Sequence, residues 1–264
     1  MKWNIIHLKE IDSTNTEVRR QVLQEAREGL VVTAERQTAG KGRRGRTWES
    51  KAGDNLYFSM LLRPNLPVEK APMLTLVMAL GVAKAIEKLY GMEAAIKWPN
   101  DLVLSGKKIC GILTEMHMSE GRIEDVIVGT GINVNQEVFS GELEDKATSL
   151  LLEIGNGWLN SDQETINETQ KLDKQKLMDT VLDEFAHLYD KFLKVQDLSF
   201  LQEEYDRRLI NKNKEVLVLE PGNEYTAVAR GINSVGELLV EREDGSIEAV
   251  YAGEVSVRGI YGYV

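Results

Sequence analysis

Cysteine and histidine are scarce in this chain of 264 residues, which contains one cysteine and three histidines. A lone thiol forms no internal disulfide, and the apolar surroundings of Cys110 indicate a small core residue. The histidines are scattered without the spacing of a metal-binding motif. These absences exclude a disulfide-stabilised scaffold, and they identify no metal ligands.

Long hydrophobic segments are missing as well. The longest strongly apolar run, residues 76–83, is far too short to cross a bilayer. The N-terminal residues enter a strand-like segment directly and show no signal-peptide pattern. With 42 acidic and 32 basic residues, the net charge of −10 disfavours bulk binding to nucleic acid or to an anionic membrane. We therefore expect a cytoplasmic protein with no DNA and no membrane partner.

Against this acidic background, positive charge is concentrated in residues 39–46, here called the basic loop, which reads Ala39-Gly40-Lys41-Gly42-Arg43-Arg44-Gly45-Arg46. Glycine lets consecutive N–H groups turn toward one point. Such a nest, ringed by lysine and arginine, suits a phosphate or a carboxylate. Because like charges repel, we expect the loop to be mobile without ligand and ordered with one. A solvated basic face or a nucleic-acid patch is the alternative interpretation.

The basic loop does not match either common nucleotide-binding motif. Its glycines form a G-x-G-x-x-G pattern, but the chain continues into a strand-like run at residues 56–62 rather than into a helix. The sequence also lacks G-x-x-x-x-G-K-[ST], the P-loop pattern. A dinucleotide-binding fold and a P-loop nucleotidase are therefore excluded.

A second polar group precedes the loop. Residues 12–17 are predicted to begin a helix that runs to residue 28, where Thr14 and Glu17 fit a capping box. The short side chains of Ser13, Thr14 and Asn15 also offer donors and acceptors to a neutral polar ligand. A strand over residues 30–35 then delivers Gln37, which either faces water or contacts a ligand.

A predicted hairpin brings two opposite charges together. A strand over residues 94–98 is followed by a turn at Pro99-Asn100-Asp101, and residues 108–115 return as a strand. The Asp101 carboxylate and the Lys108 ammonium then belong to one rigid unit and can be held near a shared site. The alternative is that Lys107 and Lys108 decorate a solvated turn and that Asp101 only stabilises the Asn-Asp turn. Asn133, in a predicted strand over residues 124–134, is either a satisfied core amide or a ligand contact.

The other segments define the domain organisation. We predict a long buried helix over residues 67–91, a polar loop over 156–173 and helices over 174–195 and 198–209. From residue 211 onward, short strands separated by turns predict a small β-barrel. The sequence thus indicates an α/β (α+β) domain over residues 1–210 and a β-barrel domain over residues 211–264.

Taken together, the motifs resemble the biotin protein ligase family. The matching segments are Ser13-Thr14-Asn15, Gln37-Thr38 with the basic loop and Thr47-Trp48, Asn55-Leu56-Tyr57 with Ser59, Lys97-Trp98-Pro99-Asn100-Asp101, Lys108-Ile109-Cys110-Gly111-Ile112-Leu113-Thr114-Glu115, and Gly129-Thr130-Gly131-Ile132-Asn133. Near the C-terminus, Gly253-Glu254-Val255-Ser256-Val257-Arg258 fits the family's second domain. Each segment is weakly diagnostic alone, but several independent motifs in one order are specific.

The resemblance implies a catalytic domain like that of class II aminoacyl-tRNA synthetases, with a mixed sheet and flanking helices, followed by an SH3-like barrel. It implies a biotin–[biotin carboxyl carrier protein] ligase of the monofunctional type, without the N-terminal DNA-binding domain of some members. Biotin and ATP would form biotinyl-5′-AMP, with Mg²⁺ accompanying the nucleotide, and the biotinyl group would pass to a lysine of a carrier domain. A homodimer is possible.

The resemblance also implies roles for individual residues. The catalytic residues would be Lys108, Arg43 and Asp101. Biotin would be bound by Ser13, Thr14, Asn15, Gln37, Gly40, Lys41, Gly42, Arg43, Lys108 and Gly111. ATP would be bound by Arg43, Arg46, Trp48, Asn100, Lys108 and Asn133.

Two rival interpretations remain. A lipoate or octanoate ligase shares the fold and the chemistry, but a thin acyl chain has no use for hydrogen-bonding groups such as Ser13, Thr14 and Gln37 at the closed end of the pocket. A non-enzymatic binder of anions or nucleic acid would explain the basic loop, but it would not explain Asp101 and Lys108 in one hairpin.

Overall fold

A computed structural model of the chain describes residues 1–156, 171–220, 222–252 and 256–259. The elements of its first part are β1 (Asn4–Ile11), α1 (Thr14–Val22), β2 (Leu30–Gln37), β3 (Leu56–Leu62), α2 (Met73–Tyr90), β4 (Ala95–Lys97), β5 (Asp101–Leu104), β6 (Lys107–Ser119), β7 (Arg122–Ile132), α3 (Leu150–Gly155), α4 (Lys174–Val195) and α5 (Gln202–Arg208). The second part contains β8 (Glu215–Glu220), β9 (Asn223–Ile232), β10 (Leu238–Glu241), β11 (Ile247–Val250) and β12 (Ser256–Gly259).

A mixed sheet of seven strands, in the order β1-β2-β3-β7-β6-β5-β4, forms the centre of the molecule. Only β1 and β2 are parallel, and the other neighbours are antiparallel. Every residue of β3 is buried, because helices cover both faces of the sheet. Phe58, Met60 and Leu62 join the core that contains α2, whereas Leu61 packs with Val18 of α1 on the opposite face. The predicted α/β class is confirmed.

The second sheet has five strands in the order β11-β10-β9-β8-β12, all paired antiparallel, in agreement with the predicted small β-domain. Hydrogen bonds connect it to the loop after β4 and to α5. Trp98 Nε1 donates to the Gly236 carbonyl oxygen at 3.0 Å, and the Ile232 N–H donates to Asp206 Oδ1 at 2.9 Å. The boundary between residues 210 and 211 stays a prediction.

Several element boundaries differ from the predictions. Helix α1 ends at Val22 instead of residue 28, because residues 23–29 form turns that return the chain to β2. Helix α2 begins only after Pro72, which has no N–H to continue a helix from the preceding 3₁₀ turn. Helix α4, by contrast, spans the predicted residues. Most of the predicted polar loop, residues 157–170, and residues 253–255 of the C-terminal motif lie outside the described residues.

Within the described ranges, no helix has both the length and the apolar character that crossing a membrane requires.

Candidate active site

A cleft opens above the middle of the central sheet, between the start of α1, the basic loop and the β5–β6 hairpin. Its lining contains Ser13, Thr14, Asn15, Gln37, Lys41, Gly42, Arg43, Trp48, Asn100, Lys108, Gly111, Ile112, Leu113, Gly129, Thr130 and Gly131. Residues far apart in sequence thus meet in one place, because β6 and β7 pair in the middle of the sheet and only β3 separates β2 from β7.

The inner end of the cleft is a polar pocket around Thr14. The Thr14 N–H and hydroxyl donate to Gln37 Oε1, at 2.8 and 3.1 Å. Helix α1 has Ser13 as its N-cap and no side-chain capping bond, so the predicted capping box with Glu17 is wrong. Thr14 is held by a residue of β2, because the hydroxyl bonds across the pocket instead of to its own helix.

Asn15 continues this polar group into the sheet. The Ser59 hydroxyl donates to Asn15 Oδ1 at 2.5 Å and lies 2.7 Å from Thr14 Oγ1. The Asn15 amide donates to Glu115 Oε2 at 2.7 Å. A Cβ atom on Gly129 would lie 2.0 Å from Asn15 Oδ1, so glycine is required for the Asn15 side chain to occupy this position. Ser13, Thr14 and Asn15 are buried, and their geometry is fixed by protein contacts.

The basic loop folds back on itself over the cleft. The Gly42 N–H donates to the Arg46 carbonyl at 2.7 Å, and the Trp48 N–H donates to the Gly40 carbonyl at 2.9 Å. A Cβ atom on Gly40 would lie 2.5 Å from the Trp48 carbonyl oxygen, so only glycine fits this close approach. Arg44 occupies the left-handed region, with φ of 57°, at the tip of the loop.

Trp48 lies on a floor made by two glycines. Cβ atoms on Gly111 and Gly131 would lie 2.5 and 2.6 Å from the indole ring. The indole Nε1 is buried and has no hydrogen-bond partner among the described residues, and the same is true of the Thr130 hydroxyl. Buried polar atoms are normally paired. Two unpaired polar atoms in the lining of a cleft indicate that the cleft binds a polar ligand.

Lys108 and Asp101 form an ion pair at the cleft, with Nζ 2.7 Å from Oδ1. Asp101 begins β5 rather than lying in the predicted turn, and it also accepts a bond from Asn100 Nδ2 at 3.0 Å. The Lys108 ammonium lies 5.3 Å from the centroid of the Trp48 ring. With only 24% of its side chain exposed, the lysine is held between Asp101 and the Trp48 ring.

Arg43 connects the basic loop with both parts of the fold. Its Nη1 donates to Asn100 Oδ1 at 3.0 Å, and its Nη2 donates to the carbonyl of Ala252 in the second part of the chain. Burial lowers the pKa of the Arg43 guanidinium, Asp101 opposes this effect, and Arg44 and Arg46 add to the lowering. A guanidinium nevertheless remains protonated in proteins, so the cleft contains a partly desolvated positive charge.

Four predicted site residues do not line the cleft. Gly40 is buried behind the loop, and Asp101 reaches the cleft through its ion pair with Lys108. Arg46 is exposed on the outside of the loop. Asn133 lies just beyond β7, where its amide donates to the Thr148 carbonyl at 3.0 Å, so the structure favours the satisfied core amide.

Sequence reasoning assigned no role to several residues that contribute to the site. Ser59, Glu115 and Thr130 lie within matching motifs, yet nothing local to them indicates which side chain they contact. The glycine pattern around Thr130 is the signal that was available, since glycine within a strand indicates close approach. The Ala252 carbonyl had no signal, because any residue supplies a backbone oxygen.

The chemistry available to this cleft follows from its charges. Lys108 and Arg43 offer positive charge to anionic groups, and the Thr14 pocket offers neutral hydrogen bonds at the opposite end. An elongated ligand with a neutral polar head and an anionic tail suits this arrangement.

The chain also matches known protein families. Residues 8–133 match the Biotin/lipoate A/B protein ligase family, and residues 213–258 match the Biotin protein ligase C terminal domain. The chain is 35% identical to the Bifunctional ligase/repressor BirA of Bacillus spizizenii over 261 residues, which is 97% of this chain and 75% of that protein.

Two further comparisons are informative. Over 144 residues the chain is 40% identical to the Biotin–[acetyl-CoA-carboxylase] ligase of Paracoccus denitrificans, covering 53% of this chain and 59% of that one. The structure of the biotin protein ligase from Aquifex aeolicus in complex with biotin and ATP superposes with a TM-score of 0.82 at 31% identity, covering 97% of this chain and 99% of that chain.

Proposed function

The chain belongs to the biotin/lipoate A/B protein ligase family, and from that premise we propose that it joins biotin to ATP as biotinyl-5′-AMP and passes the biotinyl group to a lysine of a carrier domain. The observation that carries this proposal is the convergence of the Lys108–Asp101 ion pair and the basic loop on one cleft, opposite a neutral polar pocket.

Biotin fits the inner end of the cleft by its chemistry. Its ureido ring is neutral and needs both donors and acceptors, which Ser13, Thr14 and Gln37 can supply. Its apolar body suits the stretch beside Ile112 and Leu113, and its carboxylate then points toward Lys108. A lipoyl or octanoyl chain would leave the polar groups of the inner pocket without partners, which carries a free-energy cost.

Activation requires two anions to approach each other. The biotin carboxylate attacks the α-phosphate of ATP, forms a carboxyl–phosphate bond and expels pyrophosphate. Lys108 and Arg43 offset the repulsion between carboxylate and phosphate and stabilise the charge that develops on the phosphoryl oxygens. Because Asp101 and Trp48 already hold the ammonium of Lys108, little reorganisation is needed when the reaction occurs.

The mixed anhydride must be protected from water. The folded basic loop covers the cleft, and Arg43 fastens it to Asn100 and to Ala252. Closure of such a loop excludes water and retains the intermediate until the acceptor arrives. We propose that Trp48 lies against the nucleotide, where its unpaired Nε1 gains a partner.

Transfer to the carrier needs a neutral amine. A lysine has a pKa of about 10.4, so nearly all acceptor side chains are protonated at neutral pH. We propose that Asp101 accepts the proton of the attacking lysine amine once the Lys108 ammonium engages the phosphate. The amine then attacks the biotinyl carbonyl, and AMP leaves.

We propose that Mg²⁺ enters with the ATP phosphates. Among the described residues, the one group of three side chains close enough to share a metal is His117, Glu124 and Asp125, which lies toward the far end of the β6–β7 hairpin and does not line the cleft. Among the residues that the structure describes, those lining the cleft form no cluster of metal ligands, and we propose that the nucleotide phosphates supply most of them.

The acceptor that we propose is a biotin carboxyl carrier protein or domain. The Paracoccus denitrificans relative is named for acetyl-CoA carboxylase, which supports a carboxylase carrier.

A homodimer is a second proposal, supported by the position of β1 at the edge of the central sheet with most of its residues exposed.

Pyrophosphate exchange tests the function directly. The purified chain is incubated with ATP, labelled pyrophosphate and either biotin, lipoate or no acid. We expect exchange with biotin only. Equal or faster exchange with lipoate would support an acyl ligase of the same family, and no exchange with either acid would exclude both.

A further inference from the structure

One polar network runs beneath the cleft, and both of its ends contact the segment that carries the basic loop. It passes through Lys41, Glu115, Asn15, Ser59, Thr14, Gln37 and Ser50. Lys41 belongs to the basic loop. Ser50 lies four residues after the end of the loop, and its hydroxyl accepts from Gln37 Nε2 at 3.3 Å. The interior of this chain of contacts is the pocket proposed for the ureido ring.

Glu115 is the member whose two oxygens serve different partners. Oε2 accepts the Asn15 amide at 2.7 Å, and Oε1 lies 3.6 Å from the Lys41 ammonium. The carboxylate therefore touches the inner pocket with one oxygen and the covering loop with the other. Glu115 itself does not line the cleft.

We propose that Glu115 is a positioning residue that couples closure of the basic loop to the orientation of Asn15 in the biotin pocket. The inference rests on the proposed function and adds to it a residue for which the cleft contacts alone give no role. Through Glu115, closure of the basic loop and recognition of the ureido ring of biotin depend on the same hydrogen-bond network.

The first half of the argument concerns the Asn15 amide. A carboxylate only accepts hydrogen bonds, so it requires the NH₂ end of the amide to face Glu115. The oxygen end must then face Ser59 and Gly129, as observed. Without the carboxylate, the only acceptor left to the NH₂ group among the described residues is the Leu113 carbonyl oxygen at 3.5 Å, so the orientation of the amide is far less strongly fixed. We therefore expect biotin affinity to depend on an acceptor at position 115.

The second half concerns the contact with Lys41. Both side chains are about half exposed, at 47% for Lys41 and 41% for Glu115. An ion pair of this kind stabilises by up to about fivefold in an equilibrium constant, and salt screens it. We therefore expect the charge of Glu115 to affect retention of the intermediate modestly and in a salt-dependent way, separately from biotin affinity.

Three variants separate these effects, namely Glu115→Ala, Glu115→Gln and Lys41→Met. Glutamine keeps an acceptor for Asn15 but removes the charge that faces Lys41. We expect Glu115→Ala to raise the KM for biotin at least about tenfold with kcat within about threefold, while Glu115→Gln changes KM by less than about threefold. Both Glu115→Gln and Lys41→Met should speed dissociation of bound biotinyl-5′-AMP about three- to fivefold at low salt.

A matched control lies on the same hairpin. Glu124 is 49% exposed, pairs with His117 at 2.8 Å and does not line the cleft. Glu124→Gln therefore removes a comparable surface charge, and we expect wild-type kinetics. The double variant Lys41→Met with Glu115→Gln should release the adenylate no faster than either single variant, because all three lack the same ion pair.

The outcomes are distinguishable. Additive rates in the double variant, or a Glu115→Ala variant with wild-type biotin KM, would overturn the role of Glu115 while wild-type activity still supports the ligase. A Glu115 variant that yields less folded, active enzyme, but has the wild-type KM for biotin and the wild-type rate of adenylate release, would show a purely structural role. That result would also overturn the proposed role of Glu115. Absence of biotin-dependent pyrophosphate release from the wild-type chain would instead reject the proposed function.

Discussion

Lys108 and Asp101 face each other across one hairpin, with Lys108 Nζ 2.7 Å from Asp101 Oδ1. The lysine lies on β6 and the aspartate begins β5, so backbone pairing between the two strands fixes their separation. The pair presents a preoriented positive charge to the cleft and keeps a carboxylate directly beside it. The proposed chemistry of both half-reactions depends on this relationship.

Replacement of Lys108 tests the first half-reaction. We expect Lys108→Ala to slow biotin-dependent pyrophosphate release by at least about a hundredfold, because the charge that stabilises the approaching anions is lost. Lys107→Ala is the matched control, since Lys107 is adjacent, donates to the Glu144 carbonyl and does not line the cleft. Near-normal release by the Lys108 variant would exclude this role.

Replacement of Arg43 tests retention of the intermediate. Arg43→Gly removes the bonds to Asn100 and Ala252 together with one of the two charges proposed to face the phosphate. We expect adenylate synthesis to continue at a reduced rate, while the intermediate dissociates at least about tenfold faster. Filter binding of labelled adenylate measures this rate.

The control for that experiment is Arg44→Gly. It removes the same charge from an exposed position whose φ of 57° suits glycine, so retention should stay close to wild type. Tighter retention in the Arg43 variant, or equal losses in both variants, would contradict the account.

Substitution of Asp101 separates its two proposed roles. In Asp101→Asn, we expect transfer from preformed adenylate to the carrier lysine to fall about a hundredfold, as for loss of a general base. Adenylate formation should fall about tenfold or less, because Lys108 keeps its charge. Single-turnover measurements of each half-reaction give the two rates. Equal losses in both half-reactions would exclude the role of Asp101 as a general base and would show only that it positions Lys108.

The glycine floor beneath Trp48 yields a steric prediction. Gly131→Ala would place a Cβ atom 2.6 Å from the indole, so the ring must move, and we expect the KM for ATP to rise at least about tenfold. Gly155→Ala meets nothing within 4 Å and serves as the control. Adding Trp48→Ala to the Gly131 variant should cause little further loss, and a large additional loss would show that the two positions act independently.

Sequence patterns predicted much of this molecule because many signals are local. The amphipathic spacing of α4 predicted where this helix begins and ends, and the alternation of short strands and turns predicted the second sheet. Helix α1 was predicted too long, since the turns over residues 23–29 depend on where β2 must pair. Boundaries set by tertiary contacts are not encoded in a local pattern.

The site shows the same division. Lys108, Arg43 and Gln37 line the cleft, as the motifs indicated. Charged and amide residues within short motifs can be recognised directly in the sequence. Thr14 was assigned to a capping box, yet it bonds to Gln37, 23 positions away. The links from Glu115 to Asn15 and from Arg43 to Ala252 span still longer separations and emerge only once the sheet is assembled.

The central claim is that a fixed ammonium and a closing loop produce and retain one activated intermediate. It is tested most directly by mixing stoichiometric wild-type protein with biotin and α-labelled ATP, then separating the protein rapidly from free nucleotide. The account predicts that biotinyl-5′-AMP remains with the protein and is consumed when a carrier domain with its acceptor lysine is added. Label that does not depend on biotin, or biotinyl-5′-AMP that the carrier does not consume, would contradict it.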